Sequence, residues 1–152
     1  MEKSLCDIFD LRSIKTDFDG KTKELAITEL IDSIFLLHPE CDRTELFTAI
    51  MERERKMSTG IGNGVAIPHA GCKGIIGMCG AIGVSKQGID FEALDNRPVH
   101  IIFLFATNEK ADENNLRILN QIIKLIQSEG LAMIKNAKNA EEIHAILSRI
   151  RQ

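Results

Sequence analysis

The sequence predicts an α/β fold: one domain over residues 1–152, with a mixed parallel and antiparallel β-sheet flanked by α-helices. Three observations lead there. Short apolar segments with strand periodicity are interleaved with longer segments of helical periodicity. Their order is strand, two helices, several strands, then helices, which suits a sheet covered on both faces. The 152 residues are enough for a single core and too few to divide readily in two.

The elements follow in chain order. Residues 14–18 alternate, with Ile14, Thr16 and Phe18 on one face and Lys15 and Asp17 on the other, the period of a half-buried strand. Asp19-Gly20 turns the chain. From Thr22 a helix places Ile27, Leu30, Ile31 and Ile34 on one stripe and ends at His38-Pro39, because the residue before proline is forced out of the helical region. A second helix opens at Asp42, with Glu45 three residues on as in a capping box, and an apolar face of Leu46, Phe47, Ile50 and Met51.

Beyond Met57 the chain is glycine-rich, and a short strand at Val65-Ala66-Ile67 is stopped by Pro68. Residues 78–84 and 99–106 read as buried strands of a central sheet. The second of these is a continuous apolar run too short for a stable helix. A third helix starts at about Asp112, with Leu116, Leu119, Ile122, Ile123 and Ile126 at helical spacing until Gly130. Asn139 and Glu142 then form a capping box for a last helix with Ile143, Ile146, Leu147 and Ile150 inward.

Composition excludes several functions. A net charge of −3 lacks the basic excess needed to neutralise a phosphate backbone, so nucleic acid is not an expected ligand. No stretch reaches the length of a membrane span and the N-terminus lacks a signal-peptide core, so a cytoplasmic protein without membrane insertion is expected. Cys6, Cys41, Cys72 and Cys79 form no Cys-x-x-Cys pair, so they read as reduced, mostly buried thiols, with no metal expected.

Among the four histidines, His69 stands apart, in an expected loop bordered by Gly60, Gly62, Gly64, Gly71 and Gly74. Glycines allow a backbone to approach an anion closely and aim N–H groups at it. A neutral imidazole can take a phosphoryl group on one nitrogen while a hydrogen bond holds the other. His38, His100 and His144 read as structural or solvent-facing. The glycine spacing matches neither the phosphate-loop nor the dinucleotide pattern, and no cofactor is expected. The run Glu52-Arg53-Glu54-Arg55-Lys56 ends the second helix. It reads either as a solvated face or, for Arg53, as a guanidinium that folds back onto a phosphate.

Arg53-Glu54 followed by Ser58-Thr59-Gly60-Ile61-Gly62-Asn63-Gly64-Val65-Ala66-Ile67-Pro68-His69-Ala70 resembles the IIA domain of the fructose/mannitol class of the bacterial phosphotransferase system. The likeness extends to Asp19-Gly20-Lys21-Thr22-Lys23, to the segment from Gly88 to Val99, and to the aliphatic helix after Asn115. The Ser-Thr-Gly-Ile-Gly-Asn-Gly stretch resembles the nitrogen-regulatory branch most. The resemblance implies the mannitol-type fold of a mixed sheet flanked by helices. It implies that His69 accepts a phosphoryl group from an HPr-type phosphocarrier or its nitrogen-branch counterpart, that Arg53 helps hold the phosphate, and that Ser58, Thr59, Gly60, Gly62, Gly64 and Pro68 form the supporting loop. The partner downstream is a IIB domain in sugar transport or a regulated protein in the nitrogen branch, and the absence of an attached IIB or membrane domain favours regulation.

One departure stands out. Where many members carry a second active-site histidine, this chain has Asn115, which donates a hydrogen bond but cannot become a cation or relay a proton. A phosphotransferase component and a binding regulator with little phosphoryl turnover therefore both remain open at the level of sequence.

Overall fold

The computed structural model describes residues 3–75, 77–108 and 113–150. Along the chain the elements are α1 (Leu5–Ile8), β1 (Phe9–Thr16), α2 (Lys23–Leu37), α3 (Arg43–Lys56), β2 (Gly60–Gly62), β3 (Val65–Ala66), β4 (His69–Gly71), β5 (Met78–Ile89), β6 (Val99–Thr107), α4 (Glu113–Ile126), α5 (Gly130–Lys135) and α6 (Ala140–Ser148). They build one sheet in the order β1-β5-β6-β3-β2, with β4 also paired to β6. The sheet is mixed, as expected: β1 runs parallel to β5, β5 antiparallel to β6, β3 and β4 parallel to β6, and β2 antiparallel to β3.

Strand β6 explains its own sequence. Ile101, Phe103 and Phe105 face one core, which holds Ile118, Ile122 and Leu125 of α4, Ile134 of α5, and Ile143 and Leu147 of α6. Ile102, Leu104 and Ala106 face the other, which holds Ile27, Leu30 and Ile34 of α2 and Leu46 and Ile50 of α3. A strand covered on both faces has no solvent side, so its apolar run is continuous rather than alternating. Cys41 and Cys79 are buried, and burial pushes both thiols up to about 12. They stay protonated and fill space as small apolar groups.

The capped helices begin where the sequence predicts. Thr22, Asp42 and Asn139 accept the N–H groups of Leu25, Glu45 and Glu142. The expected return arms go elsewhere. Glu45 accepts from Lys73 N–H and Glu142 from Lys138 N–H, so each carboxylate ties its helix to a neighbouring segment instead of closing a box.

Three expectations are corrected. The first strand is Phe9–Thr16 rather than 14–18, because Asp17 takes a positive φ of 55° that ends it; Phe18 is buried nonetheless, beyond the strand. The apolar stripe of α4 is turned from the predicted one: Ile118, Ile122, Leu125 and Ile126 are buried, while Leu116 is 60% and Ile123 40% exposed. Two overlapping stripes are available on this helix, and packing against Leu5, Phe9 and the α5–α6 side chains selects the second. Its predicted start at Asp112 lies outside the described residues. Finally, α1 and α5, too short to show a period, were not predicted as helices. No helix among the described residues is long and apolar enough to cross a membrane.

β5 meets β1 closely at Gly80, where an added Cβ would lie 2.5 Å from the Phe9 ring and 2.9 Å from the Leu104 carbonyl oxygen. Phe9 is itself fixed edge-to-face on Phe103, with centroids 5.8 Å apart. Gly80→Ala is therefore expected to cost about 1–3 kcal/mol through overpacking. The fall in urea midpoint, with an unchanged slope, checks this.

Candidate functional site

The glycine-rich segment is a β-hairpin. β2 and β3 are joined by Asn63-Gly64, both with positive φ, 58° and 74°. That is the geometry of a type I′ turn, whose twist matches that of the strands it joins. Asn-Gly is its usual sequence signal, and it could have been read directly from the sequence. The hairpin is pinned to the sheet: Gly64 carbonyl accepts from His100 N–H at 2.7 Å and Ile101 N–H at 3.0 Å, and Gly60 carbonyl accepts from Leu94 N–H at 3.0 Å. An added Cβ at Gly60 would lie 2.8 Å from Ala93 Cβ, so this close approach requires glycine. Gly60 N–H is already used, by Ser58 Oγ at 3.0 Å. Gly60, Gly62 and Gly64 thus shape and seat a hairpin.

His69 does not lie in a loop, as expected, but opens β4. The register against β6 is the same on both sides of Pro68: Val65 pairs with Ile101, Ala66 with Ile102, His69 with Phe105 and Ala70 with Ala106. β3 and β4 are one strand with a gap at Ile67-Pro68. Proline brings no N–H to the ladder, although its carbonyl still accepts from Phe105 N–H at 3.1 Å. Within the gap, Ile67 turns both polar groups to other partners. Its N–H donates to Thr59 carbonyl at 3.0 Å, and its carbonyl accepts from His69 Nδ1 at 2.8 Å.

That last bond settles the tautomer, since a carbonyl can only accept and Nδ1 must carry the proton. Nε2 then holds the lone pair, and among the described residues none hydrogen-bonds it. The imidazole is half-buried and lies flat on Phe105, with ring centroids 4.8 Å apart and planes within 8°. A side chain fixed by a hydrogen bond at one edge and a ring on one face presents a single oriented nucleophilic nitrogen.

Arg53 sits in the last turn of α3 and is exposed, with Nη1 donating to Met57 carbonyl at 3.0 Å. It caps the end of its own helix in this state and keeps four further N–H groups. Helix α3 packs against β4 and the residues after it through its start, where Glu45 accepts from Lys73 N–H and Asp42 carbonyl from Cys72 Sγ, and Arg53 lies at the opposite end of the helix. Asn115 lies half-buried near the start of α4. Helix α4 packs on the face of β6 that carries Phe105, the ring on which His69 lies. Ser58 Oγ donates to Phe91 carbonyl at 2.8 Å. The reading of residues 52–56 as a wholly solvated face is corrected at Glu54, which is buried, accepts Thr59 N–H and pairs with Lys23 at 2.9 Å. The other histidines are structural where they are half-buried. His100 Nδ1 donates to Ser85 carbonyl and His144 Nε2 to Cys6 carbonyl, while His38 contacts Glu40 at the surface.

A family model, described as phosphoenolpyruvate-dependent sugar phosphotransferase system, EIIA 2, matches residues 7–150. The chain belongs to this family. It is 34% identical over 148 residues to the fructose-specific EIIABC component of Bacillus subtilis, covering 97% of this chain and 23% of that relative's length. It is 30% identical over 129 residues to the nitrogen regulatory protein of Pseudomonas aeruginosa, covering 84% of each. Among solved structures, the nitrogen regulatory protein IIA-Ntr of Neisseria meningitidis superposes with a TM-score of 0.86 at 27% identity, covering 94% of this chain and 98% of that one. The fold is that of phosphotransferase IIA proteins, and the chain is a phosphotransferase-system component of the phosphocarrier type.

The hairpin turn offers a direct test of this local architecture. Gly64→Ala meets only ordinary van der Waals contacts, the nearest being His100 at 3.5 Å, so the left-handed backbone is the main penalty. The expected loss is about 1–2 kcal/mol. Asn63→Gly, which relieves the same constraint one residue earlier, is expected to change the thermal midpoint much less.

Proposed function

We propose that this chain works as a single IIA domain that carries a phosphoryl group on Nε2 of His69 and conveys its phosphorylation state to a partner protein. The observation that carries the reading is the Nδ1–H bond to Ile67 carbonyl, which leaves Nε2 as the nucleophile. In the transfer, the Nε2 lone pair forms a bond to phosphorus while the donor's P–N bond breaks and its electron pair returns to the donor nitrogen. The ring then gains positive charge, which Ile67 carbonyl stabilises at Nδ1.

The donor is an HPr-type phosphocarrier or its nitrogen-branch counterpart. Ile61 and Leu94, 43% and 63% exposed on adjoining segments, give the hairpin the apolar margin that a protein partner covers. Arg53 positions the phosphoryl oxygens once its guanidinium leaves Met57, a task for which a planar fork is better suited than an ammonium. Downstream, the likeness to nitrogen regulatory proteins supports a regulated protein in the cytoplasm as the recipient of the signal. A second reading, transfer to a separate IIB, is favoured by the 34% identity to the fructose component.

Incubation with a phosphorylated carrier tests the assignment. Wild type is expected to take up an acid-labile phosphoryl group whose phosphorus signal is that of the Nε2 isomer, and His69→Gln to take up none. Label on His69→Gln, or the Nδ1 isomer on wild type, contradicts it.

Asn115 supplies one neutral hydrogen bond to the phosphoryl oxygens, and a protonated histidine there would bond about twice as strongly. Asn115→His is accordingly expected to fold normally and to change the exchange rate about tenfold, equivalent to ~1.4 kcal/mol in the barrier. Asn115→Ala is expected to slow acceptance. Equal rates in all three proteins remove Asn115 from the site. A wild type that accepts no phosphoryl group beside an active Asn115→His makes the natural protein a binding regulator.

A further inference from the structure

Glu54 is a carboxylate where an apolar residue would be expected. The buried residues of α3 are Leu46, Ile50 and Glu54, successive positions four apart on a single stripe, and the Glu54 side chain is only 2% exposed. An ion pair in such a place is often no more stabilising than well-packed apolar side chains of the same volume. Its bonds therefore matter more than its charge. Lys23 Nζ lies 2.9 Å from Glu54 Oε1, donates to Phe91 carbonyl at 3.3 Å and stands 5.0 Å from the Phe91 ring centroid. Both carboxylate oxygens accept from Thr59 N–H, at 3.2 and 2.9 Å.

From Thr59 the bonds continue to the nucleophile. Thr59 carbonyl accepts from Ile67 N–H at 3.0 Å, and Ile67 carbonyl accepts from His69 Nδ1–H at 2.8 Å. We propose that Glu54, held by Lys23, is a positioning residue for phosphoryl transfer: through Thr59 and Ile67 it fixes the carbonyl that sets the tautomer and direction of His69. This rests on the reading of His69 as the acceptor. Ile67 points its polar groups away from β6, which bonds the carbonyls of Gly64 and Pro68, so Thr59 carbonyl is the partner that holds its N–H. The Glu54 anchor fixes that partner in turn. A change of this kind far from the reacting atom matters because small displacements of a nucleophile are costly in rate.

Two double variants of the full chain separate anchor from fold. Lys23→Met with Glu54→Leu replaces the pair by apolar side chains and removes the acceptor for Thr59. Lys23→Met with Glu54→Gln removes both charges but keeps an oxygen for Thr59 N–H. With a phosphorylated HPr-type carrier as donor, the leucine variant is expected to accept phosphoryl groups about tenfold more slowly. Nitrogen-15 spectra of its His69 are expected to show a mixture of tautomers in place of the Nδ1–H form. The glutamine variant is expected to restore both. Should the leucine variant fail to fold, Glu54→Asp, which keeps the charge and shortens the reach by one methylene, is expected to show the slowed transfer and mixed tautomers. A wild-type rate, or an unchanged tautomer, in the leucine variant or its aspartate substitute overturns the proposal. His69→Gln run alongside tells the failures apart. Label on that variant removes the acceptor assignment itself, whereas no label there beside a full-rate Glu54 variant removes only the role of Glu54.

Discussion

β6 is paired along both edges, and the strand on its outer edge is broken once, because the proline nitrogen at Pro68 brings no hydrogen to the ladder. β6 bonds the carbonyls of Gly64 and Pro68, so the polar groups of Ile67 point to the other side of the strand, its N–H to Thr59 and its carbonyl to His69. The break does not cost register, and His69 returns to the sheet opposite Phe105 with the Ile67 carbonyl beside it. Placing a nucleophile on a strand that is also bonded to its neighbour gives it the rigidity of the scaffold, which a loop would not supply.

The two cores make this arrangement tolerable. Ile67 and Phe105 belong to the core beneath α4, α5 and α6, while Ala66 and Ala70 pack toward α2 and α3. A strand interrupted at a sheet edge is normally a liability, since unpaired backbone groups attract other chains. Here β2 covers the free edge of β3, and the hairpin's own carbonyls are taken by His100, Ile101 and Leu94. The left-handed pair Asn63-Gly64 is thus needed for two reasons at once: it closes the hairpin and it hides the edge of the strand that bears the site.

Much of this was legible in the sequence. The caps at Thr22, Asp42 and Asn139 and the doubly buried β6 are all local signals, each decided by one residue type or one short pattern. What was not legible depended on partners distant in the chain. β4 has only the residues His69, Ala70 and Gly71 and exists through its pairing with β6. The face that α4 buries was chosen by packing between two stripes of similar quality. Glu54 was hidden inside a charged run, where burial of one carboxylate among five charged residues depends on Lys23 and Thr59 lying over it. The Asn63-Gly64 turn belongs with the local signals, since Asn-Gly alone specifies it.

A carrier must both accept and release its phosphoryl group, so its nucleophile has to be held without being sealed in. The His69 ring meets that requirement by being constrained on the side away from the reaction. Ile67 carbonyl occupies Nδ1 and Phe105 lies against one ring face, while the ring remains half-buried and, among the described residues, nothing hydrogen-bonds Nε2. Fixing Nδ1 also limits the ring's entropy before the partner arrives, which lowers the cost of reaching an in-line geometry. Release benefits equally, because the same carbonyl that stabilises charge on the ring as the bond forms stabilises it as the bond breaks. The site is therefore symmetric with respect to the direction of transfer.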